Sequence, residues 1–256
     1  MKHTLFLLLL AALPAFRAPQ GPAPAFARGE YLRYRIHYGF INAGGASVEV
    51  AAEPAWEGGA RCFLVRGEGH TNSAFDLFFK VRDRYESYID EQTLLSRRFN
   101  RDIREGSFES YTETWFDPGR RKAIYLDEQK QRTEYDAPEG IQDVISALYF
   151  ARSRHDARAL RPGDRISLRN FLDRKTFDLE AVVLGRETFP FQGQDLPVLK
   201  FELLIDDVGI ITDGGRIFFW MTEDENKIPL RIECELRFGS LAADLEECRG
   251  LKYPFR

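Results

Sequence analysis

The chain has 256 residues, 44% hydrophobic and 30% charged, with a formal net charge of −4. That length and apolar content suffice for one large domain or two small ones, each with a real core. Mild acidity, with Arg scattered among Asp and Glu, excludes the clustered basic face that a nucleic-acid partner requires.

Lys2 and His3 precede an apolar run from Leu5 to Leu13, and a Pro/Ala-rich stretch then ends in Ala25-Phe26-Ala27. A short charged start, about 7–15 apolar residues and a small-x-small exit make a secretory signal peptide. The run is too short for a bilayer-spanning helix, which takes about 20 residues. Residues 1–27 are therefore expected to be removed by a cut after Ala27, with a cut after Ala25 as the alternative. No cysteine follows the run to carry a lipid. The mature chain, residues 28–256, is expected in the periplasm.

From there the pattern is mostly period two. Leu32, Tyr34, Ile36 and Tyr38 alternate with Arg33, Arg35 and His37. Asn42-Ala43-Gly44-Gly45 reads as the turn into a second strand, where Val48 and Val50 oppose Ser47 and Glu49. Glu57-Gly58-Gly59 is another turn, and Ser73–Phe79 is one helical turn or an apolar loop. Asp117-Pro118-Gly119 turns the chain again, and Asp127–Gly140 reads as a polar loop. Val144, Ile145, Leu148 and Tyr149 then recur at helical spacing, with Asp143 at the positive end of the dipole, which predicts a helix near 142–154.

Strands resume after Arg161-Pro162-Gly163-Asp164. Phe177, Leu179 and Ala181 oppose Asp178 and Glu180. Asp213-Gly214-Gly215 is a turn. Ile232, Cys234, Leu236 and Phe238 form a last inward set, turned at Phe238-Gly239-Ser240. Alternation of this kind marks antiparallel strands wetted on one face. The fold class is all-β, mainly antiparallel: a curved sheet with barrel-like or sandwich architecture and one short helix. With no Pro/Ser-rich linker, residues 28–256 read as a single domain with strand sets at 30–135 and 164–248 around the helix.

Chemistry is hard to find. Ser146, Asp143 and a histidine lack the G-x-S-x-G elbow of a nucleophilic triad. His37, His70 and His155 have no metal-ligand spacing, so no metal or cofactor is expected. Neighbouring acids such as Asp206-Asp207, Glu223-Asp224 and Glu246-Glu247 point to opposite strand faces and read as solvated. Three cysteines are an odd number without CxxC spacing. Cys234 reads as a small buried hydrophobe, and pairing of Cys62 with Cys234 or Cys248 is left open.

Aromatics are the stronger clue, with 21 Phe and 10 Tyr. They fill the core of a curved sheet, or they line an apolar interior that holds a lipid-like ligand. Phe75, Phe78, Phe79 and Trp220 are the ligand-binding candidates, with Ser73–Phe79 as a lid or an end plug.

Four stretches carry a family likeness: Gly29–Gly44; Gln142–Arg152 followed by Leu160–Asp164; Trp220–Arg231; and the closing Gly239-Ser240-Leu241. They span nearly the whole mature chain, which resembles the bacterial exported family called domain of unknown function 3108. One departure is Ala151, where the family tends to carry an aromatic or aliphatic run before its Arg. The resemblance implies an envelope or periplasmic all-β protein, with Asp143, Arg152, Gly163, Asp164, Pro229 and Arg231 as structural motif positions. It brings no reaction and no catalytic residue.

The favoured reading is therefore non-enzymatic binding of an apolar ligand or envelope component. An envelope hydrolase using Asp143, Ser146, Arg152, Asp224 and Arg231 is the alternative, with Asp143 and Arg152 otherwise read as an ion pair tying the helix to the sheet. A protein-interaction scaffold pairing through strand edges is another. An outer-membrane barrel is disfavoured, because Arg97–Arg104 carries charge on both faces. The oligomeric state is not legible.

Overall fold

The structure is a computed structural model that describes residues 23–205 and 215–254. Its N-terminal half runs β1 (Tyr31–Tyr38), β2 (Ile41–Val50), β3 (Ala55–Glu57), β4 (Ala60–Thr71), α1 (Ser73–Asp76), β5 (Arg82–Asp90), β6 (Ser96–Glu105), β7 (Phe108–Asp117), β8 (Lys122–Leu126) and β9 (Arg132–Asp136). Helix α2 (Val144–Arg154) follows. The second half is β10 (Arg165–Leu172), β11 (Lys175–Phe191), β12 (Gln194–Ile205), β13 (Ile217–Thr222), β14 (Pro229–Glu235) and β15 (Ser240–Arg249).

All the strands belong to one antiparallel sheet in the order β10-β11-β12-β13-β14-β15-β1-β2-β4-β5-β6-β7-β8-β9, with β3 beside β4. Each half is a meander of neighbours. The β1–β15 ladder, from Tyr31 opposite Arg249 to Tyr38 opposite Leu241, joins the halves. The sheet curls into an open barrel whose end strands, β9 and β10, do not pair. Phe116, Tyr125 and Ala137 from one side pack with Phe171, Leu172 and Phe177 from the other across that seam. The all-β, curved, barrel-like class expected from sequence is the one observed.

Helix α2 lies within the curl. Asp143 caps it by accepting the Ile145 and Ser146 N–H groups, both at 2.8 Å, and Ser146 Oγ accepts the Asp143 N–H at 2.9 Å. This reciprocal box fixes the first turn. The helix ends where His155 turns extended. Positions 144, 147, 148 and 151 make one stripe, and 146, 149, 152 and 153 the opposite one. The first stripe packs towards β10–β13. Tyr149, on the second, packs with Phe26, Val50, Val65, Ile89 and Leu94.

Several expectations need correction. The first hairpin turns at Gly39, at φ +55°, and Asn42–Gly45 lie inside β2. A Cβ on Gly44 would sit 2.0 Å from the His70 carbonyl oxygen. Gly44 is therefore there for close strand approach, not for a turn. The polar stretch 127–140 contains β9, an edge strand with almost every residue exposed, so no alternation marks it. Ile232 and Leu236 are exposed and Cys234 half-buried, so that set is not a buried core stripe. All three cysteines are free, and burial pushes the Cys62 thiol up to about 11. Of the turn at 213–215 and the acids at 206–207, only Gly215 lies within the described residues.

Candidate functional site

The inner face of the sheet is under-filled in one place, and sequence explains why. Across β2 and β4 the inward register pairs are Val48–Gly67, Ala46–Gly69 and Gly44–Thr71. Glycine and alanine stand where the neighbouring strands carry large side chains. A Cβ built on Gly67 meets Ile145 of α2 and Tyr85, but one built on Gly69 meets nothing within 4 Å. The missing volume is a cavity of about 580 Å³, walled by β1, β2, β4 and β5 and reached by Val144 and Ile145. That lies within the usual span of ligand sites, roughly 300–1,000 Å³.

A second apolar cavity of about 210 Å³ lies between α2 and β10–β14, lined by Val144, Ala147, Leu148 and Ala151 against Phe201, Phe219, Met221 and Ile232. The two are parts of one inner surface. A single register row runs Val183–Phe201–Phe219–Ile232–Ala243–Ile36–Gly44–Thr71 across eight strands, from one cavity to the other. Val144 lines both. Ile232, 39% exposed, faces the smaller cavity, which is why its strand lacks a buried stripe.

Polar groups on this surface are few. Among the described residues, one buried carboxylate lines the larger cavity: Asp83, whose Oδ1 accepts the Arg104 N–H at 3.0 Å. Burial and the neighbouring Asp83 hold the Glu105 carboxyl above its ordinary range. An apolar chain fits these walls.

The far side of α2 is the opposite case. Arg152 and Glu30 are fully buried and paired bidentately, Nη1 to Oε1 at 2.7 Å and Nη2 to Oε2 at 2.8 Å. Arg152 Nε and Nη2 also donate to the Asn226 carbonyl, at 3.1 and 3.0 Å, and the Tyr149 hydroxyl donates to Glu30 at 3.1 Å. Burial opposes the Arg152 charge, but Glu30 outweighs it and holds the guanidinium protonated more firmly than usual. Burial likewise raises the Tyr149 phenol well above its ordinary value. Phe26 meets Tyr149 and Phe63 edge-on, with ring centroids 4.5 and 4.8 Å apart.

The structure separates the residues singled out from sequence. Phe75 lines the larger cavity. Phe78 and Phe79 are exposed beyond it, and Trp220 lies on the face of β13 opposite Phe219, donating to Glu187 at 2.7 Å. Asp143 does not pair with Arg152: it accepts from Ser87 at 2.7 Å and Ser96 at 2.5 Å besides capping α2. Burial pushes its carboxyl up against those bonds. Ser146 is buried and bonded to the Asp143 backbone, with no histidine partner among the described residues. Asp224 accepts from Thr222, Asn226 and the Lys227 N–H, which closes the β13–β14 loop. Arg231 pairs with Asp244 at 2.5 and 2.8 Å.

Gly163, at φ +92°, and Asp164 shape the turn into β10, where Asp164 accepts the Arg161 N–H at 2.7 Å. Pro229 sits at a register shift opposite Met221, where a missing N–H is tolerated, and its carbonyl accepts from Tyr34 at 2.9 Å. Sequence reasoning missed Glu30, Gly67 and Gly69. The alternating small residues of β4, read against Ala46, were the available signal for the last two. No group of three or more metal-ligating side chains occurs among the described residues, and none of their helices is long and apolar enough to cross a membrane.

Fold and interior together define a barrel-like curled β-sheet crossed by a helix, with an apolar hollow on one side of that helix. The chain belongs to the family of proteins of unknown function DUF3108, whose model matches residues 33–246. Among solved structures, a beta-barrel-like protein of domain of unknown function DUF1849 from Brucella abortus matches with a TM-score of 0.57 at 11% identity, covering 87% of this chain and 98% of that one. That likeness shows the fold alone. A Bacteroides fragilis protein with a YmcC-like fold, described as exported, matches at TM-score 0.41 and 10% identity, over 90% of this chain and 99% of that one. A Parabacteroides distasonis protein described as a lipoprotein matches at TM-score 0.39 and 9% identity, over 90% and 100%. Neither of these two carries an argument. No curated protein matches the sequence.

Proposed function

We propose that this protein is exported to the periplasm and there holds an apolar, acyl-bearing molecule in its interior without altering it chemically. The observation that carries the reading is the cavity of about 580 Å³ opened by Ala46, Gly67 and Gly69 on an apolar wall. With Asp83 the buried carboxylate there, the ligand's chain lies inside and its polar head stays at the mouth. The leader pattern of residues 1–27 supports export. Packing of Phe26 in the core favours the cut after Ala25, which keeps that ring, over the cut after Ala27, which removes it.

Native mass spectrometry of protein taken from its own envelope, with titration of a fluorescent fatty-acid analogue, tests this. Wild type should carry lipid and bind the probe. Gly69→Leu, which fills open space, should fold as well and bind at least tenfold more weakly. No co-purified lipid and no probe binding by wild type would end the proposal.

A further inference from the structure

In an antiparallel meander, alternate hairpins share an end of the sheet. The β1–β2 turn, the β4–β5 connection with α1, the β6–β7 turn and the β14–β15 turn therefore lie on one rim. They touch in series. The Tyr38 hydroxyl donates to the Phe238 carbonyl, Asn72 Nδ2 donates to the Asn42 carbonyl at 2.6 Å, and the Gly106 N–H donates to the Lys80 carbonyl at 2.8 Å.

This rim holds the most exposed large apolar side chains of the described residues: Phe40 at 95%, Phe78 at 87%, Leu77 at 84% and Phe238 at 75%. They are not scattered singles, which need no explanation. They crown one end, a concentration that marks an interaction surface. The apolar path also continues inward, since Leu241 and Phe75 line the larger cavity just below the tips.

We propose that this rim docks on a lipid bilayer, with the hairpin tips inserted past the headgroups and the cavity mouth behind them opening at the headgroup layer. The proposal deepens the ligand reading above and rests on it. Two observations select a lipid surface over a protein. The apolar groups sit on separate projecting tips, a shape that a fluid surface accommodates and a rigid partner face does not. Among the described residues, Lys80 and Arg237 flank them without an ion pair, Arg237 lying over the Phe238 ring at 5.7 Å; the neighbouring Asp76 is paired with Arg82 at 2.6 Å, and Glu105 and Glu109 stand at the β6–β7 turn. Lys80 and Arg237, next in sequence to the exposed rings of Phe79 and Phe238, give anionic headgroups a local partner at the tips.

The test is flotation with vesicles of phosphatidylethanolamine and phosphatidylglycerol, alongside vesicles of phosphatidylcholine alone. Wild type should float with the anionic vesicles and less with the neutral ones. The triple variant Phe40→Ser, Phe78→Ser, Phe238→Ser should lose at least tenfold of that binding while still taking up the fluorescent fatty acid from solution. Lys80→Glu with Arg237→Glu should abolish the preference for anionic vesicles. Gly69→Leu should float like wild type yet lose the probe, so failure of the cavity reading and failure of the rim reading give different results. Absence of wild-type flotation overturns the docking proposal. So does concentration-dependent dimerisation that the triple variant abolishes, which would assign the rim to a second copy of this chain.

Discussion

The two sides of α2 solve opposite problems with the same strands. On the closed side a full ion pair is buried, and each guanidinium nitrogen has a partner: Glu30, Arg152, Tyr149 and the Asn226 carbonyl bond one another, and Phe26 covers them. On the open side large apolar groups stand in water and glycine replaces bulk. The contrast separates a region closed by buried, bonded polar groups from one left open by small residues.

Breaking the closed side should have the largest effect. Arg152→Met or Glu30→Leu alone leaves an uncompensated buried charge, and each is expected to cost about 3–5 kcal/mol in urea denaturation. The double variant should cost clearly less than either single one. If it costs their sum, the pair is not coupled as its geometry shows. Phe26→Ala removes a buried ring from the same region and should cost about 3–5 kcal/mol. N-terminal sequencing of the mature protein should accordingly begin at Phe26, and a start at Arg28 would contradict its place in the fold.

Asp143 sharpens the comparison, because it is buried beside α2 with four bonds but no cation. Asp143→Ala should cost about 2–4 kcal/mol, combining a lost cap with stranded serine hydroxyls. Burial holds this carboxyl above its ordinary range. Its contribution is then complete below the unfolded pKa, about 3.9, and lost as pH rises through the folded one. Asp143→Asn keeps a cap acceptor and does not titrate, so it should gain on wild type in urea midpoint as pH rises from about 4 to about 7. A flat difference would refute that. The smallest effect belongs to the open side: Phe40→Ser, Phe78→Ser and Phe238→Ser should each change stability by no more than about 0.5 kcal/mol.

Much of this was legible. Leu32, Tyr34 and Ile36 announce β1 because one face of that strand is dry, and Phe177 and Ala181 do the same for β11. Asp143 and the apolar spacing announce α2. The edge strand β9 was hidden because neither of its faces is buried enough to leave a period. The cavity was hidden for a different reason. It depends on which small residues of β2 face which of β4, and that register is a property of pairing between strands rather than of either one. Glu30 was hidden because an acid next to a strand gives no sign that an arginine 122 positions later will bury it. Phe26 was hidden inside a leader pattern read as disposable.

The ladder between β1 and β15 fixes when the molecule can be finished. Every other long pairing joins strands close in sequence, so both meanders can form locally. The first strand, however, finds one of its two partners only at Leu241–Arg249, more than two hundred positions downstream. Contacts that distant make folding slow. A chain emerging from its N-terminus must hold β1 with one edge bare until the final segment arrives, so a truncation that removes β15 should leave a half-built sheet open to aggregation.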